Sequence, residues 1–279
     1  ALWCTAAAFT LFGVNEWAAR LPVALASSLT VLATFWLGSR WSRRTGLLAA
    51  AFLSLNFIVL GTSRQMTMDM HQTWWVTAAM VSAVLGLRKD NRRAGWYWAA
   101  FWLSCGLGFM AKSFPGLLPI PILVVYLAWR HRHSFRQMLH AGLQTRPLLG
   151  IGLLALVIVP WHLAAYFSAG RLFVQEYWLL HHVGLIRGDQ FGHVHPIWYY
   201  VPVLLGAYFP WSFLLPVAAG EIWRHGEDEV LQLLVTWALV TFVLFSLVQS
   251  KLVSYLLPMF PAMAVLTAFG VDRAIVRWE

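Results

Sequence analysis

Long apolar stretches recur along the whole chain, and no other sequence feature limits the possible folds as strongly. A run of roughly 16 to 21 apolar residues suits a helix that must cross a hydrocarbon core about 30 Å thick while satisfying its own backbone hydrogen bonds. Nine such spans are expected, near residues 22–38, 46–62, 72–87, 95–111, 113–129, 148–167, 197–217, 230–248 and 254–271. Strand-type alternation is absent, so the fold expected is all-α, a polytopic transmembrane helical bundle. Charged residues are only 11% of the chain, against about 25% in soluble domains, which excludes an ordinary soluble globule.

The formal net charge of +9 does not point to nucleic acid, because the basic residues sit in short loops between spans and form no stripe on a soluble domain. Their sidedness is more telling. Arg40, Arg43, Arg44, Arg88, Lys89, Arg92, Arg93, Arg130, Arg132, Arg136, Arg146, Arg224, Arg273 and Arg277 fall on one side of a nine-span topology. Arg20, Arg64, Lys112, Arg171, Arg187 and Lys251 fall on the other. The richer side is expected to be cytoplasmic. Its loops, such as "SRWSRRTG" and "RKDNRRAG", read as solvated anchors.

The chain opens on "ALWCTAAAFTLFGVNEWAARLP", with no initiator Met, basic leader or cleavage site, and closes at "DRAIVRWE" just after the ninth span. It reads as one integral-membrane module over residues 1–279, truncated at the amino terminus and open to truncation at the carboxy terminus. Cys4 and Cys105, far apart and in apolar surroundings, suggest neither a disulfide framework nor a metal knuckle.

The outward basic residues need a reason. In "GTSRQMTMDMHQTWW", Asp69 stands at the mouth of the third span, where a carboxylate is costly unless paired or wetted. It either orients a cation or sugar hydroxyls, or forms an interfacial ion pair with Arg64. Lys112 stands in "GLGFMAKSFPGLLPIP", where two spans meet with almost no loop; it either presents a point charge to a phosphate or snorkels as an anchor. Lys251 and Tyr255, four apart in "VQSKLVSYLLPMFP", would share a helix face, and an aromatic belt with snorkelling explains them equally well. The long loop "AGRLFVQEYWLLHHVGLIRGDQFGHVHP" carries His181, His182, His193 and His195 without a zinc spacing such as HExxH. Its 173–180 portion reads as an interfacial amphipathic helix.

Six motifs in order, "FTLFGVNEWAARLP", "MTMDM", "CGLGFMAKSFPG", "VPWHLA", "HHVGLIRGDQFGHVHPIWYYVPVLLGAYFPW" and "QSKLVSYLLP", make the chain resemble the bacterial undecaprenyl-phosphate aminoarabinose: lipid A transferases. These are integral-membrane glycosyltransferases of the GT-C fold, related to protein O-mannosyltransferases. The resemblance implies that Asp69 matches the family's acidic residue before the third of these spans and Lys112 its outward lysine. It implies that His182 falls on an active-site histidine and serves as a ligand for a divalent metal ion; the histidine loop itself offers His181 and His193 as further contacts. Lys251 and Tyr255 match the closing K-x-x-x-Y pair near the donor pocket. The chain departs from the family where His181-His182 replaces Glu-His and Leu185-Ile186 replaces Arg-Phe. The family's first span and first outer loop, with an acidic pair, would precede Ala1.

The function implied is transfer of 4-amino-4-deoxy-L-arabinose or a related glycosyl group from undecaprenyl phosphate to lipid A at the periplasmic face of the inner membrane. Asp69, Lys112, Lys251 and Tyr255 would be catalytic; Arg64, Lys112, Lys251 and Tyr255 would bind the donor phosphate. A mannosyl-type transfer to protein or another glycan is the second reading. A non-enzymatic transporter or polyprenyl-phosphate binding protein is the alternative of another class. Membrane lipids are expected partners and nucleic acid is not.

Overall fold

The structure, a computed structural model, describes residues 2–88, 92–183 and 193–279, and of 181–183 only the backbone. Among these residues the chain is helical without a strand; Val194 and Ser250 form one isolated antiparallel bridge. The thirteen main helices are α1 (Leu2–Phe12), α2 (Glu16–Gly38), α3 (Arg43–Ser54), α4 (Phe57–Thr62), α5 (Asp69–Gly86), α6 (Ala94–Lys112), α7 (Pro119–Arg130), α8 (Phe135–Gln144), α9 (Pro147–Ala169), α10 (Tyr200–Ala207), α11 (Leu215–Arg224), α12 (Glu229–Leu247) and α13 (Phe260–Trp278).

Among the described residues, four continuous helical segments are long and apolar enough to cross a membrane: Glu16–Gly38, Pro147–Ala169, Glu229–Leu247 and Val253–Trp278. The last is the axis of the bundle, with 83% of its most apolar stretch buried, whereas Pro147–Ala169 has only 6% buried and turns nearly all its surface outward. Such an apolar exterior suits lipid as the surrounding solvent. The protein is a multi-pass membrane bundle.

Two expected spans are broken, and local chemistry explains both. The 46–62 stretch splits into α3 and α4 at Asn56. Its side-chain oxygen caps α4 by accepting from the Ile58 and Val59 amides, while its Nδ2 donates to the Ala207 carbonyl at 2.9 Å. A fully buried amide with all three bonds made is stable there, and the helix restarts from it. The 197–217 stretch becomes two helical pieces, Ile197–Ala207 and Trp211–Arg224, bent by 100°. Pro210 lies between them; it supplies no amide donor and disfavours helical geometry in the residue before it. The count of nine is thus not reproduced as nine straight helices. The 113–129 stretch likewise begins as a short 3₁₀ turn, Phe114–Leu117, before α7.

Helix α8 was not expected, since residues 131–146 read as a basic loop. Its signal is an N-cap serine: Ser134 accepts from the Gln137 amide at 3.3 Å.

Charged groups collect at the two ends of the bundle. At one end, Asp272 accepts from Ser42 at 2.6 Å and Thr45 at 2.5 Å, and Glu221 pairs with Arg224 and Arg277, each at 2.7 Å. Arg130 pairs with Glu229 at 2.5 Å, and Trp41 donates to Asp228 at 2.8 Å. Asp272 and Glu221 are buried, which a carboxylate tolerates only with partners of this kind. Asp69, Lys112, Lys251 and Tyr255 lie at the other end.

Candidate active site

Lys112 is the last residue of α6 and Asp69 the first of α5, two helices that run antiparallel side by side. The Lys112 ammonium and the Asp69 carboxylate form a salt bridge with side chains 21% and 14% exposed. Each charge also complements its own helix dipole, the carboxylate at a positive amino end and the ammonium at a negative carboxyl end, worth about 0.3–1 kcal/mol apiece. The pair is thus favoured three ways without leaving the rim. It replaces the Arg64–Asp69 pair that the sequence left open: Arg64 is exposed and has no ion pair among the described residues.

The turn after Lys112 explains its surrounding motif. Ser113 takes a positive φ of 58°, and its carbonyl accepts from the Gly116 amide at 2.8 Å. The chain folds back so closely that a Cβ on Gly116 would overlap the Gly108 backbone. Gly108 and Gly116 therefore allow α6 to end in a tight reversal with Lys112 at its tip.

Tyr255 completes the group. It comes from the 3₁₀ segment Val253–Met259, and the Lys112 Nζ lies 4.6 Å from its ring centre, a cation–π contact. Tyr255 also packs on Phe245, ring centres 5.5 Å apart, while its hydroxyl has no hydrogen-bond partner among the described residues. Tyr200, fully buried, donates from its hydroxyl to the Leu252 carbonyl at 2.9 Å and so steadies the start of that segment.

Lys251 does not share a helix face with Tyr255. Residues 248–252 are extended or irregular, so the four-residue spacing is not a helical one. The Lys251 ammonium is buried and donates to the His195 carbonyl at 2.9 Å and to the Val248 carbonyl. Burial pushes its pKa below the ordinary lysine value. Its backbone amide donates to the His193 carbonyl at 2.9 Å, and the His195 amide donates to Gln249 at 3.3 Å. The His193–His195 stretch is thus stitched along Gln249–Lys251. His193 contributes its backbone, and the His195 ring stacks on Tyr199 at 4.0 Å. Sequence reasoning missed Tyr199 and Tyr200; the "WYY" triplet after the loop was the available signal.

Residues 174–183 are helical, as expected for the outer loop, though wider-wound than an α-helix. Phe173, Tyr177 and Trp178 face Trp161 and His162 of α9, and Phe114 of the Lys112 turn lies 6.0 Å from Trp178 between ring centres. An aromatic cluster therefore ties the loop to the lysine turn. The side chains of His181 and His182 lie outside the described residues. Among those described, no three His, Cys, Asp or Glu side chains gather as metal ligands, so the metal reading of His182 gains no support.

The sequence model of the "Dolichyl-phosphate-mannose-protein mannosyltransferase" family matches residues 1–167, a range that holds Asp69 and Lys112. The chain is 30% identical over 281 residues to undecaprenyl phosphate-alpha-4-amino-4-deoxy-L-arabinose arabinosyl transferase 1 of Pseudomonas fluorescens (strain Pf0-1), covering 99% of this chain and 47% of that protein. It is 35% identical over 272 residues to the corresponding transferase of Edwardsiella ictaluri, covering 94% and 47%. The crystal structure of ArnT from Cupriavidus metallidurans bound to undecaprenyl phosphate superposes with a TM-score of 0.84 at 24% identity, covering 98% of this chain and 49% of that one. The fold is therefore the one drawn from the six motifs, and the chain spans about half the length of the curated relatives it matches. By the match over residues 1–167 together with this fold, the chain belongs to the dolichyl-phosphate-mannose-protein mannosyltransferase family.

Proposed function

We propose that the chain is the membrane-embedded part of a glycosyltransferase that takes its sugar from a polyprenyl phosphate, with 4-amino-4-deoxy-L-arabinose on undecaprenyl phosphate as donor and lipid A as acceptor. The observation that carries this reading is the Asp69–Lys112–Tyr255 group, a cation held at a rim between a carboxylate and a phenol whose hydroxyl has no hydrogen-bond partner among the described residues. The names of the relatives favour this donor over a mannosyl one.

In the proposed reaction the bond from the sugar's anomeric carbon to the donor phosphate oxygen breaks, and the phosphate leaves with the electron pair. An acceptor oxygen forms the new bond to that carbon. Lys112 and the Tyr255 hydroxyl stabilise the charge growing on the leaving phosphate, the kind of preorganised electrostatics that usually dominates catalysis. Asp69 keeps the ammonium aimed and offers its second oxygen to sugar hydroxyls. If the acceptor is a lipid A phosphate, its oxygen is already anionic and needs no base; a hydroxyl acceptor must give up a proton to a carboxylate. Arg64, exposed just before Asp69, supplies further attraction for a phosphate. Lys251, with two donors engaged by carbonyls, holds the loop that carries Tyr255 and has one donor left for the phosphate. This end of the bundle faces the periplasm of a bacterial inner membrane, because the opposite end carries most of the arginines.

The test uses the full-length protein in liposomes with undecaprenyl-phosphate aminoarabinose and lipid A, read by mass spectrometry. Consumption of donor with formation of modified lipid A supports the reading. Donor that binds but is never consumed, with lipid A or with a protein acceptor, would leave a binding protein or transporter in its place.

A further inference from the structure

The basic loops that read as separate anchors in the sequence converge in space. Arg88 and Arg92 lie between α5 and α6, Arg130 ends α7, Arg136 is on α8 and Arg146 precedes α9; all line one cavity of about 1780 Å³. Glu229 is its one acidic lining residue among those described, and it is already paired with Arg130. Arg88, Arg92, Arg136 and Arg146 have no carboxylate partner among the described residues. The Arg146 guanidinium lies against the backbone at the start of α6, where a Cβ on Gly95 would stand 2.7 Å from it. Cations gathered from several loops in one concavity repel one another and draw an anion in.

The rest of the lining identifies what kind of anion. Leu139 and Leu143 of α8 border the same cavity, and both are more than half exposed, as is Phe135 at the same four-residue spacing. No residue of α8 is buried, so this amphipathic helix lines the cavity while keeping an exposed apolar side, as an interfacial helix does. Beside it, α9 leaves Arg146 with Leu148 and Ile151 turned outward at 84% and 63% exposure. A cavity with guanidinium groups and exposed leucines on one wall suits an amphiphile with a charged head, and a free inorganic ion would use only half of it.

We propose that this cavity binds the phosphate headgroup of an anionic phospholipid from the leaflet at the arginine-rich end of the bundle. The arginines contact the phosphate oxygens, and Leu139 and Leu143 lie against the first carbons of the acyl chains. The site is distinct from the Asp69–Lys112 group: α6 runs from one to the other, and its 19 residues span about 28 Å. Binding here stands whether or not the transferase reading holds.

The experiment places the full-length protein in nanodiscs of phosphatidylcholine doped with cardiolipin or phosphatidylglycerol and counts retained lipid by native mass spectrometry. Retention of the anionic lipid over phosphatidylcholine is expected. Each arginine near a charged lipid surface contributes about fivefold, so the combined Arg88→Gln, Arg136→Gln, Arg146→Gln variant should lose on the order of a hundredfold. If that variant does not fold, Arg136→Gln alone, on exposed α8, should lose about fivefold. Equal retention by wild type and variants, or equal retention of phosphatidylcholine, overturns the proposal. Displacement of the lipid by millimolar glycerophosphate also overturns it, because the ligand would then be a soluble phosphate.

Discussion

Asp69 and Lys112 begin and end neighbouring antiparallel helices, and their salt bridge closes the rim of the bundle where the two ends meet. Because both side chains are mostly shielded from water, neutralising one leaves the other charge poorly solvated. Asp69→Asn and Lys112→Met should each abolish glycosyl transfer in the full-length protein. In thermal unfolding the double variant should be less damaged than the two single effects summed, with a coupling of about 0.5–3 kcal/mol. Strict additivity would show that the pair is not energetically joined.

Tyr255 separates two contributions that sequence cannot. Its ring lies under the Lys112 ammonium and its hydroxyl has no hydrogen-bond partner among the described residues, so Tyr255→Phe keeps the first and removes the second. Stability should stay within about 0.5 kcal/mol of wild type, as for a substitution that breaks no contact. The rate should fall roughly tenfold or more, since a hydrogen bond to a charged group contributes about 1.5–3 kcal/mol. Tyr255→Leu should lose stability as well. An unchanged rate for Tyr255→Phe would remove the hydroxyl from the chemistry.

For Lys251 the contacts predict a different pattern. Its ammonium joins the Val248 and His195 carbonyls, so Lys251→Met leaves two part-buried acceptors without that donor, at a cost of up to about 1–3 kcal/mol each. Hydrogen exchange at residues 249–255 should rise in that variant, whereas Tyr255→Phe should leave it unchanged. The pH profile adds a sign. Burial lowers the Lys251 pKa, so its charge is lost at a lower pH than that of a free lysine, and activity should fall earlier on the alkaline side. Lys251→Arg, if it fits, should move that fall to higher pH because guanidinium stays charged.

The sequence revealed the membrane bundle because hydrocarbon thickness and backbone hydrogen bonding leave few alternatives to apolar helices. Charge bias follows the topology as well, and of the arginines expected on one side, Arg88, Arg92, Arg130, Arg136 and Arg146 line one cavity. What the sequence hid were deviations set by single side chains meeting distant backbone. Asn56 breaks a helix because the Ala207 carbonyl is there to receive it, and that carbonyl lies 151 positions away. The sequence left the Asp69 partner open, because spacing along the chain offers only Arg64, whereas Lys112 is the cation near in space. Helical spacing also failed at Lys251 and Tyr255, where the bridge between Val194 and Ser250 holds the chain extended.

The reversal after Lys112 gives the sharpest steric prediction. Gly116 sits against the Gly108 backbone, and backbone cannot swing aside as a flexible side chain can. Gly116→Ala should therefore separate the turn from α6 and carry Lys112 away from Asp69 and Tyr255, at a cost of about 1–3 kcal/mol for overpacking. Gly142→Ala is the matched control, since nothing lies within 4 Å of the Cβ it would add. Thermal unfolding and transfer assays on the full-length protein should show Gly116→Ala impaired in both and Gly142→Ala in neither. If Gly116→Ala instead keeps wild-type turnover, the tight reversal does not set the position of Lys112, and the arrangement of the rim must come from the aromatic cluster around Phe114 and Trp178.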